Sequence, residues 1–176
     1  MCRYLLLALL LLPWNASLVS AADEGPLNAI DGVAMDGFDV VAYFKPGKPK
    51  KGLDEYSLAY KGQTWKFSSP GNLQAFQANP ASYEPQFNGW CAYAVSEGYA
   101  AEVDFVNGWS ILDGKLYLNW SESVSKSFIA EQDRRKPDAA ANWPTVKAGI
   151  IDGSVKISQH KRFLGVGIRH PQELPE

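Results

Sequence analysis

The chain has 176 residues, 46% of them hydrophobic and 20% charged, with a formal net charge of -2. That length fits one domain or at most two, and the apolar share is enough for a folded core, which argues against a disordered chain. Seventeen basic residues against nineteen acidic ones give no electrostatic reason to expect nucleic acid, and no bilayer-length apolar run lies beyond the N-terminus.

Residues 1–22 read as a secretory signal peptide. Arg3 supplies the positive region, Leu5 to Leu12 the apolar core, and Val19-Ser20-Ala21 a small-residue cleavage site. That core is too short to cross a hydrocarbon layer of roughly 30 Å, so no membrane span is expected after cleavage. The expectation is an exported protein, in a bacterial periplasm or secreted. Because Cys2 falls in the leader, Cys91 is left without an intramolecular disulfide partner. It must be buried, reactive, metal-bound or paired between chains.

Asp36-Gly37 marks a turn, and Val40-Val41-Ala42-Tyr43-Phe44 is a continuous apolar run of strand length. Residues 45–52, rich in Pro, Gly and Lys, predict a solvated loop. Tyr56, Leu58 and Tyr60 alternate with polar residues, then come Lys61-Gly62, then Trp65 and Phe67, which is a β-hairpin pattern. Ser69-Pro70 caps a helix carrying Leu73 and Phe76 that stops at Asn79-Pro80. Phe87 to Val95 is the densest aromatic stretch. Asp113-Gly114 between Trp109–Leu112 and Leu116–Leu118 predicts a second hairpin, since a primed turn needs positive φ. Ser121 caps a helix carrying Val124, Phe128 and Ile129, and Glu131 and Arg135 stand at a favourable i,i+4 spacing. Pro137 is expected to interrupt this helix, with a short one resuming over 139–143 and ending at Pro144.

The expected architecture is one α+β domain over residues 25–148. It has a small antiparallel sheet built from two β-hairpins, with two or three packed helices. Residues 149–176 read as a loosely ordered tail with a short edge strand over 155–157.

The chemistry on offer is thin. There is no Gly-rich phosphate loop and no Gly-x-Ser-x-Gly elbow, and His160 and His170 both lie in the tail. A zinc site wants about four nitrogen or thiolate ligands, so a site built on Cys91 would favour copper(I) over zinc. Asp36 and Asp39, three apart around Gly37, could present both carboxylates to one site or cap local backbone amides in an Asx-type turn. Trp65, Trp90, Trp109, Trp120 and Trp143 read as core, with a stacking site as the alternative.

Met35-Asp36-Gly37-Phe38-Asp39-Val40-Val41-Ala42-Tyr43-Phe44 resembles the opening of the YHS domain family. The resemblance continues through Tyr60–Ser69, Phe76–Tyr83, Asn88–Val95 and Asp113–Asn119, and closes at Ala141–Pro144, covering roughly residues 30–146. It implies a hairpin-plus-helix core related to small metal-handling modules. Metal-binding relatives carry three cysteines, at places that fall here near Ala42, Ser68 and Asn72, and none of the three is a cysteine in this chain. Cys91 stands in a motif of its own.

Three functions stay open: an exported module binding a soft transition metal (copper or zinc) or a small ligand without catalysis; a single-thiol redox protein using Cys91; and a structural or interaction module in which Cys91 is a buried hydrophobe. No catalytic constellation is found. The expected site centres on Cys91, with Asp39, Tyr43 and Asp36 as neighbours. Asp39 would supply a hard ligand or hold Tyr43, whose hydroxyl would donate to a bound thiolate or anion.

Overall fold

The computed structural model describes residues 27–47 and 49–159; the expected leader, His160 and His170 lie outside the described residues. Two short strands open the chain, β1 (Ala29–Ile30) and β2 (Val33–Ala34). The first hairpin follows as β3 (Leu53–Tyr60) and β4 (Gln63–Phe67). Its register is Tyr60↔Gln63 and Leu58↔Trp65. Lys61 and Gly62 both take positive φ, 50° and 72°, which is the turn that matches the twist of the flanking strands. β2 pairs in parallel with β4, giving a four-stranded sheet of order β1-β2-β4-β3.

Helix α1 (Pro70–Ala78) starts where expected, with the Ser69 hydroxyl accepting from the Asn72 amide and Pro70 in the first turn. Helix α2 (Ala92–Ser96) and β5 (Ala100–Ala101) come next. The second hairpin, β6 (Trp109–Leu112) and β7 (Lys115–Leu118), turns on Asp113 and Gly114 at φ 51° and 70°. Helix α3 (Glu122–Ala130) is capped by Ser121. Helix α4 (Gln132–Asp152) and β8 (Ile157–Ser158) complete the described chain.

The mixed α+β class is as expected, but four local expectations are corrected. Residues 40–44 form a 3-10 helix, because the Asp39 carboxylate accepts from the Val41 and Ala42 amides and so opens a helical turn. Continuous burial of Val40 to Tyr43 had mimicked a strand. The two hairpins do not share a sheet: β6 and β7 form a two-stranded sheet of their own, and β5 pairs with β8 in a third, parallel pair. What unites the hairpins is the core, where Trp65, Phe67 and Phe76 lie in one apolar cluster with Leu116, Leu118 and Trp120. Pro137 and Pro144 sit inside α4 without ending it. Arg135, Ala139, Val146 and Gly149 form its buried face, and packing against Trp90, Val95 and Ala100 outweighs the lost backbone bonds. Finally, α4 continues past residue 148 to Asp152, and the edge strand is 157–158 where 155–157 was expected.

Candidate functional site

Asp39 is fully buried beneath the first hairpin. One carboxylate oxygen accepts from the amides of Val41 (2.9 Å) and Ala42 (3.3 Å). The other accepts from the Ser68 amide (2.7 Å), the Ser68 hydroxyl (2.6 Å) and Asn72 Nδ2 (2.5 Å). Lys45 in turn donates to Asn72 Oδ1. The carboxylate therefore ties the 3-10 turn, the end of β4 and the start of α1 into one knot. Asp39 thus takes the amide-capping option, while Asp36 does neither and pairs at the surface with Lys51 at 3.0 Å.

Tyr43 points elsewhere. Its hydroxyl donates to the Phe105 carbonyl at 2.7 Å. Burial first, then the charges of Asp104, Asp39 and Asp36, hold that hydroxyl protonated well above its ordinary range.

Cys91 is positioned by strained backbone. Phe87, Asn88 and Gly89 all take positive φ (54°, 51° and 77°), and a matching turn runs through Met35, Asp36 and Gly37 (56°, 49° and 74°). Such a conformation is costly for non-glycine residues and persists only where the surroundings impose it. Here Asn28 imposes it, its amide donating to the Asn88 carbonyl (2.9 Å) and its Nδ2 to the Gly89 carbonyl (3.0 Å). The chain then enters α2 with Cys91 as the residue flanking its N-terminus, the Cys91 amide bonded to the Ala101 carbonyl at 3.1 Å.

The thiol is 1% exposed. The Trp120 amide donates to Sγ at 3.3 Å, and Asn119 Oδ1 lies 4.0 Å from it. That same Oδ1 accepts from the Tyr93 amide at 3.1 Å, while the buried Asn119 Nδ2 has no partner. Burial pushes the thiol up to about 11, overriding the opposite pull of the Ala94, Trp120 and Tyr93 amides. At neutral pH Cys91 is a thiol, not a thiolate.

Beside it lies a cleft of about 520 Å³. Its buried floor is Cys91, Ala101, Trp120 and Val124, and its rim carries Tyr93, Tyr99 and the hydroxyls of Ser123, Ser127 and Ser158. The Arg135 guanidinium sits over the Tyr93 ring, 3.6 Å from its centroid. Arg135 is 3% exposed and is neutralised by Glu97 (2.8 Å) and Glu131 (3.1 Å), with a further bond to the Ser96 hydroxyl (2.9 Å). The ring is thereby held in place.

Of the four residues expected at the site, none hydrogen-bonds another. Cys91 and Tyr43 share the same apolar core, but Asp39, Tyr43 and Cys91 each have separate partners. Of the cleft residues other than Cys91, the sequence reading offered only Trp120, as one of five tryptophans in the alternative of a stacking site. Ser123, Val124 and Ser127 do stand on one face of a helix, which is a usable signal. Tyr99 and Ala101 lie in a stretch with no period at all.

The YHS domain family model matches residues 41–87. The chain carries a YHS domain. No curated protein and no solved structure matches the chain. YHS domains are generally associated with metal binding.

The positions near which the resemblance implies cysteines in metal-binding relatives, Ala42, Ser68 and Asn72, converge on one point, the Asp39 carboxylate. Ala42 and Ser68 offer it N–H groups, and Ser68 and Asn72 offer side-chain donors. These groups turn the positive ends of their dipoles toward the centre and suit an anion. The residues present do not fit a metal ion there. Among the described residues, no group of three or more His, Cys, Asp and Glu side chains comes together elsewhere. The Cys91 cleft, in turn, lies wholly outside the matched segment, built from residues 91–158.

Proposed function

We propose that this protein is an exported, non-catalytic binding module whose ligand is a small organic molecule held in the cleft beside Cys91. Export rests on the leader pattern of Arg3, Leu5 to Leu12 and Val19-Ser20-Ala21. One observation carries the choice of ligand: a cleft of ligand-binding size whose buried floor is apolar and whose only soft donor is a protonated thiol. A metal would need that thiol deprotonated and joined by further ligands. The same raised thiol counts against the redox alternative, because the thiolate is the nucleophile.

Protection of Cys91 tests this, using the full chain with Cys2→Ser so that one thiol remains. Saturating N-phenyl-α-naphthylamine, an uncharged fluorescent aromatic, should slow alkylation of Cys91 by iodoacetamide, while Zn(II) and Cu(I) should leave the rate unchanged. Stoichiometric protection by either metal, with none from the aromatic, would replace this reading with the metal one.

A further inference from the structure

Every side chain lining the cleft is uncharged at neutral pH. The lining consists of a thiol, two phenols, an indole, three hydroxyls and two aliphatic groups. Cys91 and Tyr99 are both held protonated, chiefly by burial. The buried charge on the Tyr93 ring, Arg135, is not part of the lining and is already neutralised by Glu97 and Glu131. A charged ligand entering the cleft would give up water and meet no counter-charge, a loss that neutral dipoles do not recover.

The neutral groups are also segregated. Small side chains, Cys91 and Ala101, leave depth at the floor, and Tyr93, Tyr99 and Trp120 offer ring faces and edges. Arg135 fixes the Tyr93 ring before any ligand arrives, which lowers the ordering cost of binding. Ser123 and Ser127, one helical turn apart on α3, and Ser158 on β8 bring the hydroxyls to the exposed rim. A ring system inserted against the floor would therefore leave its polar edge among hydroxyls.

We infer that the cleft is selective for uncharged aromatic molecules bearing a single polar edge group, such as a phenol or an aryl amine, and rejects their anionic analogues. This rests on the reading of the cleft as the ligand site and adds the chemical class it takes.

The test compares N-phenyl-α-naphthylamine with anilinonaphthalenesulfonate, the same ring system carrying a sulfonate. Both are titrated by fluorescence into the full chain with Cys2→Ser. Three forms are compared: otherwise wild type, Ser127→Trp, which fills the cleft from an exposed helix position, and Ser127→Lys, which adds a cation to the rim. The neutral probe should bind, the sulfonate at least about tenfold more weakly, and Ser127→Trp should abolish binding of both. Ser127→Lys should raise affinity for the sulfonate selectively. Failure of the neutral probe to bind, or binding untouched by Ser127→Trp in a folded variant, would overturn the cleft as the ligand site. Binding of both probes with equal affinity, lost together in Ser127→Trp, would leave the site standing and overturn its selectivity. Should Ser127→Trp not fold, Ser127→Lys decides alone, since an unchanged ratio of the two affinities contradicts the inference.

Discussion

Asp39 and Cys91 are both buried, both head a helical turn and both sit in stretches where the sequence resembles a YHS domain, yet their surroundings differ in one respect. Asp39 has its lone pairs filled by five donors from three elements. The Cys91 thiol meets the backbone amides of Trp120 (3.3 Å), Tyr93 and Ala94 and also faces open volume. A buried polar group whose partners are all supplied by the chain holds the fold together. One left beside a cavity has capacity for something else. In this molecule the segment that carries the family match supplies the donors that do the first job for Asp39, and the segment beyond it carries the cleft.

The largest effect should come from breaking the saturated side of this comparison. Asp39→Ala orphans donors on the 3-10 turn, β4 and α1 together, and should cost about 3–5 kcal/mol of stability in urea unfolding. A loss under about 1 kcal/mol would mean that the knot is dispensable.

On the other side, the thiol should make stability pH-dependent. Burial raises Cys91 from 9.0 to about 11, so the folded protein holds this proton more tightly than the unfolded chain does. Its contribution is complete below pH 9 and is lost as pH rises toward 11. The loss should reach about 2–3 kcal/mol. Other groups titrate in the same range, so the quantity to measure is the difference from Cys91→Ala, which should lack this slope.

A third prediction concerns the rim. Gly149 on α4 lies directly against Val155, and a Cβ there would overlap the Val155 side chain. Gly149→Ala should displace Val155, loosen β8 where Ser158 lines the cleft, and cost about 1–2 kcal/mol. Cys91 alkylation should speed up, and adding Val155→Ala should restore the slow rate. An unchanged rate in Gly149→Ala would show that β8 does not shield the thiol.

The smallest effect separates Tyr43 from the cleft. Tyr43→Phe removes the bond to the Phe105 carbonyl and should cost about 1 kcal/mol. It should leave the affinity for N-phenyl-α-naphthylamine unchanged, since neither Tyr43 nor Phe105 lines the cleft. A weakened affinity would join Tyr43 to the binding site after all.

How much of this could be read from the sequence depended on whether the signal was local. Both hairpins were legible because Lys61-Gly62 and Asp113-Gly114 demand positive φ between alternating runs. The Ser69 and Ser121 caps were legible because a serine just ahead of a helical run is also a local signal. Residues 40–44 misled because full burial erases the difference between a strand and a helical turn, and only the Asp39 side chain decides it. Pro137 and Pro144 misled because tertiary packing of α4 outweighs a local penalty. Cys91 stood out as the unpaired cysteine, but its neighbours did not. Tyr93, Tyr99, Trp120, Ser127 and Ser158 meet through contacts spanning α2, β5, α3 and β8, and no spacing rule reaches that far.

The most direct test of the division between the two regions is a map of amide chemical-shift changes on saturating the protein with N-phenyl-α-naphthylamine. The changes should concentrate at Cys91, Tyr93, Ala101, Trp120, Val124 and Ser127 and leave Asp39, Ala42, Ser68 and Asn72 unmoved. Changes centred on Asp39 and its donors, with the cleft silent, would contradict the account.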